Sequence, residues 1–136
     1  FGAALVLDPA KDDVVGIVER ETEGRGADVT FEAAGAPDTY QTCIDACRRG
    51  GTAVFIGIPE GDTVSLNLHS ARRKGVTIKN LRRYVHTFDR AVRIAAAGDF
   101  DLRKLITHTF PLEHTLDALE VAGSYMDGVL KAVVEM

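Results

Sequence analysis

Asp28-Val29-Thr30-Phe31-Glu32-Ala33-Ala34-Gly35 and Thr52-Ala53-Val54-Phe55-Ile56-Gly57-Ile58 are apolar runs of strand length, and what lies between them decides the fold. Pro37 pre-sets the first turn of a helix there. Tyr40, Ile44 and Cys47 follow at helical spacing, until Gly50-Gly51 ends the pattern. Strand, helix, strand is the βαβ unit of an α/β layer fold. The second run is almost wholly apolar, as expected of a strand covered on both faces of a parallel sheet.

Working outward, residues 4–7 predict a further strand, closed by Asp8-Pro9. Asp12 reads as the N-cap of a helix carrying Val14, Val15, Ile17 and Val18, which Gly24-Arg25-Gly26 stops. On the other side, Val64, Leu66 and Leu68 alternate with polar residues before a short helix at 70–74 and a strand at 76–81. Thr87 is expected to cap a helix with Phe88, Ala91, Val92 and Ala95 on one stripe, ended by Gly98. Residues 105–110 read as extended. Pro111 then opens a helix aligning Leu112, Leu116, Leu119 and Ala122, with Gly128 as its end and a closing strand at 129–134.

Composition excludes several classes. The 136 residues are 46% hydrophobic and 26% charged, enough for one real core. Sixteen basic against twenty acidic residues leave a net charge of −4, which argues against a nucleic-acid partner. The short runs Arg48-Arg49, Arg72-Arg73-Lys74 and Arg82-Arg83 read as solvated faces. No run of about 18 apolar residues is present, so no membrane-spanning helix is expected. The start, Phe1-Gly2-Ala3-Ala4, has neither Met nor a basic leader, and reads as the opening of a fragment. Cys43 and Cys47 read as buried helix-face thiols, which points to a reducing cytoplasmic compartment. His69, His86, His108 and His114 are spaced as surface or structural histidines, not as a metal cluster.

In a parallel α/β sheet the ligand lies beyond the carboxyl ends of the strands. Gly35 and Gly57 fall at such ends, where they either admit a flat cofactor or merely make turns. No G-x-G-x-x-G, Walker loop, H-E-x-x-H or C-x-x-C occurs.

Gly26-Ala27-Asp28-Val29-Thr30-Phe31-Glu32-Ala33-Ala34-Gly35 resembles the fourth coenzyme-domain strand of zinc-type medium-chain alcohol dehydrogenases. Gly50-Gly51-Thr52-Ala53-Val54-Phe55-Ile56-Gly57-Ile58 resembles the fifth. Ile106-Thr107-His108-Thr109-Phe110-Pro111-Leu112-Glu113 resembles the segment returning to the catalytic domain. Ile78-Lys79-Asn80-Leu81-Arg82-Arg83-Tyr84 is most similar to the polyol branch, the sorbitol, xylitol and L-iditol dehydrogenases. Val85-His86-Thr87-Phe88 departs from that branch and keeps threonine and other secondary-alcohol dehydrogenases open.

The resemblance implies a partial Rossmann-like, doubly wound coenzyme domain over residues 1–84. Residues 85–136 would be a C-terminal segment that packs on a catalytic domain. It implies that Ala34, Gly35, Ile56, Gly57, Ile58, Leu81, Arg82 and Arg83 bind NAD or NADP, and that Arg83 and Tyr84 bind an alcohol or polyol. Zinc would act in the full-length enzyme through ligands outside this chain, so no catalytic or metal residue is expected here. The chain by itself is expected to be inactive. Full-length copies would form a homodimer or homotetramer through the edge strand 76–81. A noncatalytic interaction module is the competing reading.

Overall fold

The computed structural model describes residues 2–98 and 101–136, leaving Phe1 outside. Two compact units divide between Val85 and His86.

The first unit begins with an extended, unpaired segment. Residues 4–7 form no strand, because among the described residues no neighbour offers them a ladder. Helix α1 (Val14–Glu21) is capped by Asp13, whose side chain accepts from Gly16 N, and not by Asp12. Asp12 instead accepts from Asp8 N at 2.7 Å, tying down the preceding turn.

Strands β1 (Ala27–Glu32), β2 (Cys47–Phe55) and β3 (Thr77–Asn80) form a parallel sheet in that order. Helix α2 (Pro37–Ala46) joins the first two strands, and α3 (Leu68–Lys74) lies between the second and third. Helix α2 stops at Ala46, before the glycines expected to end it. Cys47 already has an extended backbone and pairs with Ala27, so β2 starts early. Gly50 and Gly51 lie instead within a β2 irregularity, between the pairs Ala27–Cys47 and Val29–Thr52. A Cβ on Gly51 would stand 3.0 Å from Arg48 O, and Gly50 has φ +68°, so this crowded kink suits residues without side chains.

Helices α2 and α3 cover one face of the sheet. Tyr40, Cys43, Ile44, Cys47, Ala53, Phe55 and Ala71 form its core, with Val64, Leu66, Val76 and Ile78 packed around them. The alternation of a strand sends Val29 and Phe31 to the other face, where Phe31 stays 66% exposed. Ile56 and Ile58 are also exposed, being past the end of β2. Burial on both faces, expected over the whole run 52–58, thus holds for Ala53, Val54 and Phe55.

In the second unit, α4 (Phe88–Ala97) ends on Gly98 in the left-handed conformation. Thr87 precedes it without a side-chain cap bond, because its backbone is already helical. A 3-10 turn (Leu102–Leu105) occupies the start of the stretch expected to be extended. Strands β4 (His108–Pro111) and β5 (Ala132–Glu135) then pair in parallel. Helix α5 (Thr115–Gly123) connects them after a 3-10 turn over Leu112–His114. It ends at Gly123 and not at Gly128, which closes a separate 3-10 turn. The leucine stripe does not face this small sheet. Thr115, Ala118 and Val121 are its more buried positions, while Leu116 is 79% exposed.

Candidate functional site

The three parallel strands finish level, with Glu32 beside Phe55 and Phe55 beside Asn80. The chain leaves the ladder in the same order on each. Leu81 N donates to Phe55 O at 2.9 Å, and Ile56 N donates to Glu32 O at 2.7 Å. Gly57 N also donates to Glu32 O, at 3.1 Å. One carbonyl taking two amides turns the chain away, which ends β2 at Phe55, short of the Ile58 expected. The result is a ledge where residues 33–36, 56–59 and 81–84 emerge at one edge of the sheet.

Glu32 organises this ledge, although the sequence reading gave it no role. It is 2% exposed. Its Oε1 accepts from Ala34 N at 2.9 Å, Gly35 N at 2.8 Å and Thr39 Oγ1 at 2.7 Å. Burial pushes its carboxyl up, but the bonds from Thr39, Gly35 and Ala34, with the nearby Gly57 amide, hold it below the usual range. Oε2 is buried without a hydrogen-bond partner and faces Gly57, where any Cβ would strike it. The available sequence signal was a carboxylate closing an apolar strand, followed by two alanines and a glycine.

Gly35 and Gly57 lock against one another. A Cβ on Gly57 would lie 2.8 Å from Gly35 Cα, and one on Gly35 would lie 3.0 Å from Ile58 C. Gly35 also has φ +76°. Their smallness therefore serves the approach of two loops and a turn, and the open question between turn and cofactor approach gains a third answer. Tyr40 fixes the second loop by donating its hydroxyl to Gly57 O at 2.9 Å, with its ring edge-on to Phe55 at 5.0 Å. Burial, then the Glu32 charge, push its hydroxyl pKa up, so it remains a donor.

Beneath the ledge lies a cavity of about 360 Å³ lined by Tyr40, Phe55, Gly57, Pro59, Ile78 and Leu81 among others. Ala34, Ile56, Ile58 and Leu81 present small or apolar exposed side chains along the edge. Arg82, Arg83 and Tyr84 follow on the same side, exposed, and do not line that cavity. Arg83 has φ +31° and His86 +53°, uncommon for residues bearing a side chain. The structure thus gathers the ends of all three strands, while the Arg-Tyr pair lies on an outward turn.

The donor set suits a nicotinamide dinucleotide: an apolar ledge for a flat ring, with guanidinium donors beside it. It does not suit zinc. Among the described residues no group of three or more His, Cys, Asp or Glu comes together. Cys43 and Cys47 instead meet Thr30 Oγ1 at 3.1 and 3.0 Å inside the core, where burial pushes the Cys43 thiol pKa up. His108 stacks on Phe110, with ring centroids 6.4 Å apart, and His114 pairs with Asp117 at 2.7 Å.

A sorbitol dehydrogenase of Bacillus subtilis (strain 168) is 30% identical over 134 residues, 98% of this chain and 38% of that protein. An L-threonine 3-dehydrogenase of Caldanaerobacter subterraneus is 32% identical over 124 residues, 89% of this chain and 36% of that protein. The crystal structure of an alcohol dehydrogenase from Thermotoga maritima superimposes with a TM-score of 0.84 at 30% identity, covering 98% of this chain and 38% of that one. The chain therefore spans less than two fifths of the length of the curated relatives it matches. Their shared fold is the mixed α/β architecture with a Rossmann-like coenzyme domain. No helix among the described residues is long and apolar enough to cross a membrane. The family model for zinc-binding dehydrogenases matches residues 1–97, and the chain belongs to that family.

Proposed function

We propose that this chain supplies the nicotinamide side of an NAD- or NADP-dependent, zinc-type dehydrogenase that oxidises a secondary alcohol, a polyol in particular. The supporting observation is the level ledge of Ala34, Gly35, Ile56, Gly57, Ile58 and Leu81 at the carboxyl ends of three parallel strands. Residues 1–84 belong on this reading to the coenzyme domain, and residues 85–136 pack on a catalytic domain. The exposed apolar faces of α4 and α5 support that second assignment. β3 is an edge strand of the described sheet and suits pairing with a second copy.

A bound dinucleotide would accept a hydride from the carbinol carbon, and the hydroxyl proton would pass to solvent, leaving a ketone. This chain contributes position. The Glu32 carboxylate holds the first glycine loop, and its carbonyl oxygen with Tyr40 holds the second, so the apolar ledge meets the ring without rearranging. Arg82 and Arg83 offer donors beside it, and Arg83 and Tyr84 hydrogen-bond substrate hydroxyls without taking the proton. No group of three or more His, Cys, Asp or Glu that could hold a metal ion comes together among the described residues, so no step is assigned to zinc here.

Arg83→Ala and Tyr84→Phe in the intact enzyme test the reading. A lost bond to a charged group is worth about 1.5–3 kcal/mol, so kcat/KM for sorbitol should fall roughly tenfold or more. Simple secondary alcohols should lose far less. Equal losses on both substrate classes, or loss of NAD affinity alone, would make the pair structural. Higher kcat/KM for L-threonine than for any polyol would move the assignment to the amino-alcohol branch.

A further inference from the structure

We propose that the amino-terminal end of the parallel sheet carries a separate anion site for a phosphoryl dianion, either free or on a small ester. A hollow of about 330 Å³ there is lined by Arg49, Asn67, His69, Ser70, Arg73 and Lys74. Arg49 comes from the opening of β2, and the others come from α3 and its cap. Among the described residues, the side chains of Arg49, His69 and Arg73 make no ion pair or hydrogen bond. Lys74 Nζ donates to Asp45 O and Cys47 O, two neutral carbonyls, which place the ammonium without neutralising it.

No carboxylate lines the hollow, in a chain whose net charge is −4. Asp45 stands behind the lining, reaching it through Ser70 and Lys74, and keeps its charge while both its oxygens are engaged by neutral donors. Its Oδ1 accepts from Ser70 Oγ at 2.5 Å, and its Oδ2 accepts from Gln41 Nε2 at 2.9 Å. Asn67 Oδ1 accepts from Ser70 N at 3.2 Å, leaving the amide nitrogen as a donor. Two guanidinium forks, an ammonium and an amide line one hollow, a donor set of the kind that recognises phosphate oxygens. A helix end favours cations in its last turn, which accounts for Arg72, Arg73 and Lys74 but does not bring Arg49 from β2 to the same hollow.

Arg49 also lines a neighbouring hollow with Arg25 and Arg48. Those two share the single carboxylate of Asp28, at 2.9 and 2.5 Å, so one positive charge is left over there. The ligand is a small ester or free phosphate, and an oligonucleotide titration tests it against a polymer backbone. The site also stands apart from the proposed dinucleotide site, since Arg49 and Lys74 lie towards the amino ends of β2 and β3 and the ledge lies at their carboxyl ends.

Titration of the chain with inorganic phosphate, followed by amide NMR in about 0.15 M sodium chloride, tests the proposal. Saturable one-to-one binding is expected, with shifts confined to β2's opening and α3. Arg49→Gln and Arg73→Gln should each weaken it about tenfold, while Arg103→Gln in the other unit leaves it unchanged. A second titration with glycerol 3-phosphate identifies the source: tighter binding assigns the site to an ester, and equal binding assigns it to free phosphate. Binding that never saturates, or equal loss in Arg103→Gln, overturns the site. Tighter binding of a single-stranded oligonucleotide that survives both site substitutions overturns it as well.

Discussion

Removing the Glu32 carboxylate should unlatch the ledge, and the structure sets the size of the effect. In Glu32→Ala the Gly35 amide, buried beneath the second loop, loses its acceptor. An unpaired buried donor costs about 1–3 kcal/mol. The exposed Ala34 amide finds water, and Thr39 Oγ1 can turn fully to Ala36 O, already 2.7 Å away. The vacated methylene volume adds about 1 kcal/mol, and release of the unpartnered Oε2 offsets part of the sum. A net loss of about 2 kcal/mol follows. Glu32→Gln keeps an acceptor at Oε1 and should lose about 1 kcal/mol. The chain has no Trp, so urea unfolding is best followed by far-ultraviolet circular dichroism, at low concentration because apolar faces are exposed. The pH dependence is a second arm. Because the folded carboxyl titrates below its ordinary 4.5, its contribution is complete above that value and disappears as pH falls through the folded pKa. Asp8 and Asp28 shift the same way but stay in both proteins, so the difference between parent and Glu32→Gln isolates Glu32. Ala and Gln variants of equal stability, or both within about 0.5 kcal/mol of the parent, would refute the latch.

Gly57→Ala and Gly35→Ala should each cost about 2 kcal/mol or more by thermal unfolding, since both place a methyl group inside the opposing loop. Gly61→Ala, with nothing within 4 Å of the added carbon, should be neutral or slightly stabilising in the same measurement. Asp13→Ala should destabilise by about 1 kcal/mol and Thr87→Ala by far less, because only Asp13 makes a side-chain cap bond. Equal losses in urea unfolding for the two cap variants would contradict that distinction.

Residues 26–58 made the layer fold legible because strand and helix periods are local properties, and Pro37 with the flanking glycines marks where one gives way to the next. The resemblance carried by the same stretch determined the family, as the match over residues 1–97 shows. Pairing and facing were not local. Residues 4–7 have strand composition but remain unpaired, since a strand requires a neighbour. The stripe Leu112, Leu116 and Leu119 has helical periodicity, yet period alone does not say which side a partner will occupy, and Ala118 faces the sheet instead. Glu32 shows the difference most sharply. In sequence it is one acid at the end of an apolar run; in the fold it gathers two amides and a hydroxyl and presses on Gly57, a residue 25 positions away (57 − 32). Such a role depends on which atoms the parallel ladder brings level, and only the tertiary structure decides that.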